Sequence, residues 1–290
     1  MKYRDIIDKS ALIMVGCIRG DIDTYLKDLN ERILNNKQFC DNFKVILVHF
    51  NKVNGEIKDS DFQRVKTLYR YYFPNCLFIS QNVNRGWIFG GADLFKHSYS
   101  FICDNTNAKY AWFMTEDFYV KDYFLDLDFG DEEYDYFGLP FFGFGGIKDK
   151  TDEEFLTEFE KEPFLPQYNF QIITTDAITY YLMMESEEQD DRYRKWIESG
   201  DGSDQRNHTI GAERQLYHTI DTNLLNCKNI MDGYMEQLVK LVRMGKVNDG
   251  AHKNIFFKDY GLCHLADINQ GVIVGDKEGI TIIDSIRSHR

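Results

Sequence analysis

Short apolar runs alternating with stretches of helical periodicity constrain this chain more than any other feature. Ala11 to Ile18, Phe43 to Phe50, Cys76 to Ser80 and Lys109 to Met114 are each too short for a lone helix and too continuously apolar for a half-exposed strand. Such runs suit strands buried on both faces of a sheet. Between them the spacing is helical. After a short polar lead and the first run, Arg19-Gly20-Asp21 turns the chain, and Asp23 or Thr24 is placed to cap a helix carrying Tyr25, Leu26, Leu29, Ile33 and Leu34. Asn51 to Gly55 punctuates the second run, and Ser60 or Asp61 is expected to open a helix with Phe62, Val65, Leu68 and Tyr69 on one face, which Pro74 closes. Strands alternating with helices predict an α/β fold with a mainly parallel sheet flanked by helices.

The fourth run ends abruptly in Thr115-Glu116-Asp117, so two carboxylates stand where a buried strand emerges. In open α/β sheets that edge is where ligands bind. Adjacent carboxylates there can hold a hard divalent cation, which in turn neutralises a diphosphate; a solvated strand end is the plainer alternative. Before this run lies Asn84-Arg85-Gly86-Trp87-Ile88-Phe89-Gly90-Gly91-Ala92-Asp93, followed by a helical run through Phe101. Its glycines allow a tight turn or a close backbone approach to a ligand, and a helix start offers unpaired N–H groups to an anion.

Further on, Tyr134 to Pro140 and Asn169 to Thr174 read as strands, and Asp176 as a cap for a helix with Ile178, Tyr181 and Leu182. Phe141 to Gly146 is an apolar turn, Thr151 to Glu162 a solvated acidic stretch, and Glu185 to His208 a charged segment read in part as a loop. Thr209 to Arg214 then leads into an apolar-periodic helix through Leu225. Met231 to Met244 is expected as an amphipathic helix in the most basic region, and a hairpin is expected around Gly275 to Gly279. We divide the chain into a main α/β unit over 1–225 and a mixed C-terminal extension, 226–290, packed on it.

Composition narrows the function classes. A net charge of −13 disfavours non-specific attachment to nucleic acid or an anionic membrane. No apolar stretch approaches a membrane span, and the N-terminus lacks a secretory pattern, so a cytoplasmic place, in a bacterial or virus-infected cell, is expected. The six cysteines are scattered with no Cys-x-x-Cys pair, arguing for reduced thiols and against zinc.

The combination of the opening strand and helix, the Asn84-Arg85-Gly86-Trp87 segment with Gly90-Gly91, and Thr115-Glu116-Asp117 resembles the GT-A glycosyltransferases, especially the family 2-like group. It spans about Leu12 to Glu213. Val48-His49-Phe50-Asn51 stands where that family carries an acidic residue, Asp93 where a helix-start Asn is common, and Glu-Asp where an Asp-x-Asp motif is usual.

The resemblance implies a nucleoside-diphosphate sugar donor contacted by Arg19, Asn84, Gly86, Asp93 and Glu116. It further implies Mn²⁺ or Mg²⁺ on Asp117, alone or with Glu116, and on His264, and Glu213 as the general base toward a hydroxyl acceptor. An ordinary first-turn helix glutamate is the alternative for Glu213, and a core histidine for His264. The acceptor classes are a glycan, a small molecule, a protein or, as the minor branch, hydroxymethylated DNA. A non-catalytic binding module on the same fold is the competing expectation, and a nucleotidyltransferase ranks below both.

Overall fold

The computed structural model describes residues 1–18, 20–52, 58–80, 86–116, 118–138, 151, 153–154, 157, 170–184, 194–195, 197–198, 216, 219–220, 223–230, 261–264, 273–276 and 279–282. In chain order, a 3-10 helix (Tyr3–Lys9) leads into β1 (Ser10–Ile18), α1 (Ile22–Cys40), β2 (Val45–Lys52), α2 (Asp59–Tyr72), β3 (Leu77–Ser80) and α3 (Gly86–Asn105). There follow β4 (Tyr110–Thr115), β5 (Phe118–Val120), a second 3-10 turn (Asp122–Asp126), β6 (Tyr136–Gly138), β7 (Phe170–Thr174) and α4 (Thr175–Met184). The later elements are β8 (Cys227–Asn229), β9 (Leu262–His264), β10 (Ile273–Asp276) and β11 (Gly279–Ile282).

Seven strands form one sheet in the order β3-β2-β1-β4-β7-β6-β8. The ladders β3–β2, β2–β1, β1–β4 and β6–β8 are parallel, whereas β7 runs antiparallel to both β4 and β6. The fold is therefore α/β on a mixed sheet with a parallel half, as the alternation of runs and helices predicts. Because the chain builds outward from β1 to β3 and then returns to place β4 on the other side of β1, the strand order reverses between β1 and β4. In open α/β sheets the crevice beyond the strand ends at such a reversal is the usual ligand site.

Both faces of the sheet are covered, which explains why the strands read as continuous apolar runs. Leu12, Met14, Trp112 and Met114 face the layer of α1 and α2, and Ala11, Ile13, Val15 and Phe113 face that of α3 and α4. The first layer is centred on Trp112, whose Nε1–H donates to Ser10 Oγ at 3.0 Å while its ring meets Tyr3, Phe39, Phe43, Phe124 and Phe170.

Local signals were more exacting than the sequence reading. The polar lead is a 3-10 helix that buries Tyr3, Ile6 and Ile7 under the first layer. Asp21, rather than Asp23 or Thr24, caps α1 by accepting from Thr24 N at 2.9 Å. α2 opens at Asp59 with no side-chain cap, ahead of Ser60 and Asp61, and ends before Pro74, which cannot continue a helix. Phe43 lies in the turn before β2, its N–H on Cys40 O at 3.0 Å.

The glycine segment also departs from expectation. α3 already begins at Gly86, so Gly90 and Gly91 are buried helical residues and not a turn, and Asp93 stands inside the helix rather than at its start. Small residues there let a helix backbone lie close to what covers it. The hairpin around 275–279 is present as β10 and β11. The segments 141–146, 185–193 and 231–244 lie outside the described residues, as do most of 151–162 and 194–225.

Candidate active site

Residue 116 ends the run that the sequence singled out, and the structure shows where its carboxylate goes. Its N–H donates to Val15 O at 2.8 Å, continuing the β1–β4 pairing by one residue. Its side chain is only 8 % exposed and is turned toward α1. Tyr25 Oη donates to Oε2 at 2.6 Å, Cys17 N donates to Oε1 at 3.3 Å, and Arg32 Nη1 lies 3.2 Å from Oε1. Gly16 leaves room for this carboxylate: a Cβ at that position would collide with Glu116 Oε2 and push it from its place. Burial, reinforced by the Glu116 charge, holds the Tyr25 phenol far above the usual tyrosine range, so Tyr25 stays a proton donor to the carboxylate.

The next turn of chain is held by the same helix. Asn36, 1 % exposed, donates from Nδ2 to Phe118 O and accepts at Oδ1 from Val120 N, both at 2.9 Å. An asparagine amide presents N–H donors and a carbonyl acceptor in one plane, so Asn36 closes the edge of β5 as a partner strand would, its Nδ2 also donating to Arg32 O at 3.2 Å. Asn35 Nδ2 donates to Tyr119 Oη at 3.1 Å.

The opposite edge of β5 pairs antiparallel with β9, in the register Phe118↔His264, Tyr119↔Cys263 and Val120↔Leu262, and Lys121 N donates to Gly261 O at 2.8 Å. Gly261 has φ +70°, and a Cβ there would come within 2.9 Å of Lys121 Cβ, so this entry into β9 is open to glycine alone. The ladder thus brings the end of β9 beside the start of β5, next in sequence to Asp117.

On the other face of the sheet, His49 and Asn51 occupy the end of β2. His49 is fully buried, its Nδ1 2.7 Å from Ser98 Oγ on α3. Burial, with a smaller push from His97, lowers its pKa to about 3, so the imidazole is neutral. His49 Nε2 and Asn51 Oδ1 have no hydrogen-bond partner among the described residues.

The residues expected in the site fall into three groups. Glu116 is placed as above; Asp93 is buried in α3, 4 % exposed, and Gly86 begins that helix. His264 ends β9, where its backbone alone is described. Arg19, Asn84, Asp117 and Glu213 lie outside the described residues. Sequence reading missed Gly16, Arg32 and Asn36 and placed Tyr25 only on the core face of its helix. The available signals were a glycine interrupting an apolar run, and polar residues on the stripe that carries Leu29 and Ile33.

For a divalent cation, the described residues contain no group of three His, Cys, Asp or Glu side chains able to enclose one. Glu116 is engaged by Tyr25, Cys17 N and Arg32. The carboxylate expected at 117 and the imidazole expected at 264 are donor types that Mn²⁺ accepts, and neither side chain is among those described.

No family model matches the chain, and no curated protein matches it. Among solved structures it is similar to the galactosyltransferase LgtC in complex with donor and acceptor sugar analogues, at TM-score 0.40 and 11% identity over 75% of this chain and 72% of that one. It is also similar to the glycosyltransferase GlyE of Streptococcus pneumoniae TIGR4 in its apo form (TM-score 0.37, 14% identity, 82% of this chain and 50% of that one). A third is the bifunctional glycosyltransferase WbbM (TM-score 0.39, 13% identity, 77% and 39%). The chain thus spans half the length of GlyE and less of WbbM. These superpositions are too loose to assign any residue a role. No helix among the described residues is long and apolar enough to cross a membrane.

Proposed function

We propose that the chain is a GT-A-type glycosyltransferase that moves a hexose or pentose from a nucleoside-diphosphate sugar to a hydroxyl acceptor, a glycan or small molecule in the first instance. The observation that supports this reading is the β5–β9 ladder, which pairs His264 with Phe118, the residue after Asp117 in sequence, in a fold whose main sheet reverses strand order between β1 and β4. Asp117 and His264 would hold Mn²⁺ or Mg²⁺, which would supply positive charge beside the diphosphate leaving group. In the transfer, the acceptor oxygen bonds to the anomeric carbon as the bond from that carbon to the diphosphate oxygen breaks. Glu213 takes the acceptor's proton. Arg19, Asn84, Gly86, Asp93 and Glu116 are the proposed donor-side residues.

One observation favours the competing reading of a non-catalytic module. The end of β2, where the GT-A resemblance asks for an acidic residue, holds a neutral His49 and Asn51. Fold alone does not guarantee chemistry. Hydrolysis or transfer with any donor separates the two readings.

The first experiment is a thermal-shift screen of nucleoside diphosphates and nucleotide sugars with and without Mn²⁺, on the native protein and on Asp117→Ala. A ligand at about 100 times its Kd adds roughly 2.7 kcal/mol to the native state, an easily read rise in Tm. We expect a metal-dependent rise that Asp117→Ala abolishes; no rise with any donor overturns the reading.

A further inference from the structure

β3 is an outer strand of the central sheet: β2 pairs with it along one side, and among the described residues nothing pairs with the other. Its side chains alternate, Phe78 packing in the layer of α1 and α2 and Ile79 in that of α3 and α4. Leu77, on the same face as Ile79, is 37 % exposed. An open edge of this kind is a template for one more strand, and charge placed beside it decides what is admitted.

Here the charge comes from α2. That helix carries three cations, of which Arg64 is paired with Asp23. Lys66 and Arg70 make no ion pair among the described residues. Instead the Lys66 ammonium and the Arg70 guanidinium each stand 5.4 Å from the centre of the Phe78 ring, on the open strand. Two like charges four residues apart on a helix repel each other. In a chain with 47 acidic and 34 basic side chains, a cation pair left without a carboxylate is a strain that an anion from outside relieves.

We propose that β3 and α2 form a docking edge for an extended acidic peptide of a partner protein, added as a further strand on the open side of β3. Neighbouring strands lie about 4.8 Å apart, so the peptide's side chains on the α2 face flank Phe78 and meet Lys66 and Arg70, while those on the other face meet Leu77 and Ile79. The fitting segment alternates acidic and apolar residues. Main-chain hydrogen bonds give it affinity, and the alternation gives it selectivity. A second copy of this chain fits poorly, because pairing β3 with its two-fold mate brings four cations together. A dense polyanion is opposed by the net charge of −13, whereas a short peptide's carboxylates act on the two cations within the screening length of about 8 Å. This inference stands apart from glycosyl transfer, and neither Lys66 nor Arg70 has a part in the proposed site.

The test is fluorescence anisotropy on the full-length protein with a labelled, end-blocked peptide of alternating glutamate and valine. Three companions accompany it: the same residues in block order, lysine in place of glutamate, and the alternating acidic peptide N-methylated throughout, which cannot donate to a strand. The alternating acidic peptide is expected to bind, and the companions at least about tenfold more weakly. Lys66→Glu combined with Arg70→Glu is expected to weaken the acidic peptide at least about tenfold and to strengthen the lysine peptide. If the pair merely shields the edge, that variant changes Tm and leaves the preference as it was. Where the double reversal gives no cooperative melt, Lys66→Gln with Arg70→Gln is read instead, and is expected to lose the preference for glutamate over lysine.

The proposal is overturned if the native protein binds none of the peptides at about 1 mM, the weak end of recognition. It is equally overturned if the N-methylated peptide binds as well as its parent, or if the variants keep the native preference. If single-stranded DNA or phosphatidylserine vesicles bind as tightly as the peptide and lose binding in the same variants, the edge is a general polyanion surface and the peptide reading falls. Donor binding is read separately by the thermal-shift screen, so the two proposals fail independently.

Discussion

The two faces of the central sheet treat their buried polar groups in opposite ways. Toward α1, Glu116 has three partners and both polar atoms of the Asn36 amide are matched to backbone groups of β5. Toward α3, at the same end of the sheet, His49 Nε2 and Asn51 Oδ1 are buried without a partner among the described residues. A buried polar atom left unmade costs about 1–3 kcal/mol, so the first face is stabilised by its polar contacts and the second is stable despite its polar atoms. The lesson is that burial of polar residues near a strand end has two meanings: a finished brace on one side, unspent hydrogen-bonding capacity on the other.

That contrast can be broken or sharpened by mutation. The largest effect is expected for Asn36→Leu, which strands Phe118 C=O and Val120 N–H together; the loss should be about 3–4 kcal/mol by urea denaturation. A loss below about 1 kcal/mol would mean that water replaces the amide and the brace is weaker than its geometry.

Next comes a pH effect on the α3 face. The folded-state pKa of His49, about 3, lies below its ordinary value of 6.5, so the unfolded chain takes up the proton first as pH falls. Stability is therefore complete above pH 6.5 and declines toward pH 3, by roughly 3 kcal/mol at about pH 4. His49→Phe should flatten that part of the pH–stability curve, beyond any change in its level.

Tyr25→Phe removes one hydrogen bond to a charged group on the braced face and should cost about 1.5–2 kcal/mol. The smallest effect is expected across the sheet: Asn51→Leu keeps the volume, removes an unpartnered oxygen and should shift stability by less than about 1 kcal/mol in either direction. A loss near that of Tyr25→Phe would show that Asn51 is paired in solution and would erase the contrast between the faces.

Much of the architecture was legible in the chain. The four apolar runs are four strands of one sheet, and Thr115 and Glu116 stand at the end of β4 beside the reversal of strand order, because double-sided burial and abrupt polar ends leave a plain signature in composition. The antiparallel β7 was legible as a strand but not in its direction, which depends on pairing and not on local pattern. The glycine segment misled, since glycine serves a turn and a closely packed helix equally well; Gly90 and Gly91 belong to the second kind.

At the site, residue types were readable and their orientation was not. Glu116 was seen as a ligand-side carboxylate because sequence cannot show Tyr25 and Arg32 coming from α1 to meet it. Asn36 carried only its place on the stripe of Leu29 and Ile33: a helical asparagine among apolar neighbours is ordinary until β5 is seen to be paired on that edge by its amide. His264 was named from resemblance, and the ladder to Phe118 is what gives it a place.

That ladder also has a consequence for biosynthesis. A ribosome has made the whole seven-stranded sheet, through β8, well before it reaches Leu262. Joining ends so distant in sequence is entropically slow, so β9 docks late onto a sheet already formed. Until it does, β5 is braced by Asn36 on one edge and bare on the other, and the emerging polypeptide has a folded body before it has the proposed cation site. The proposed site would thus be completed only after the sheet it stands on.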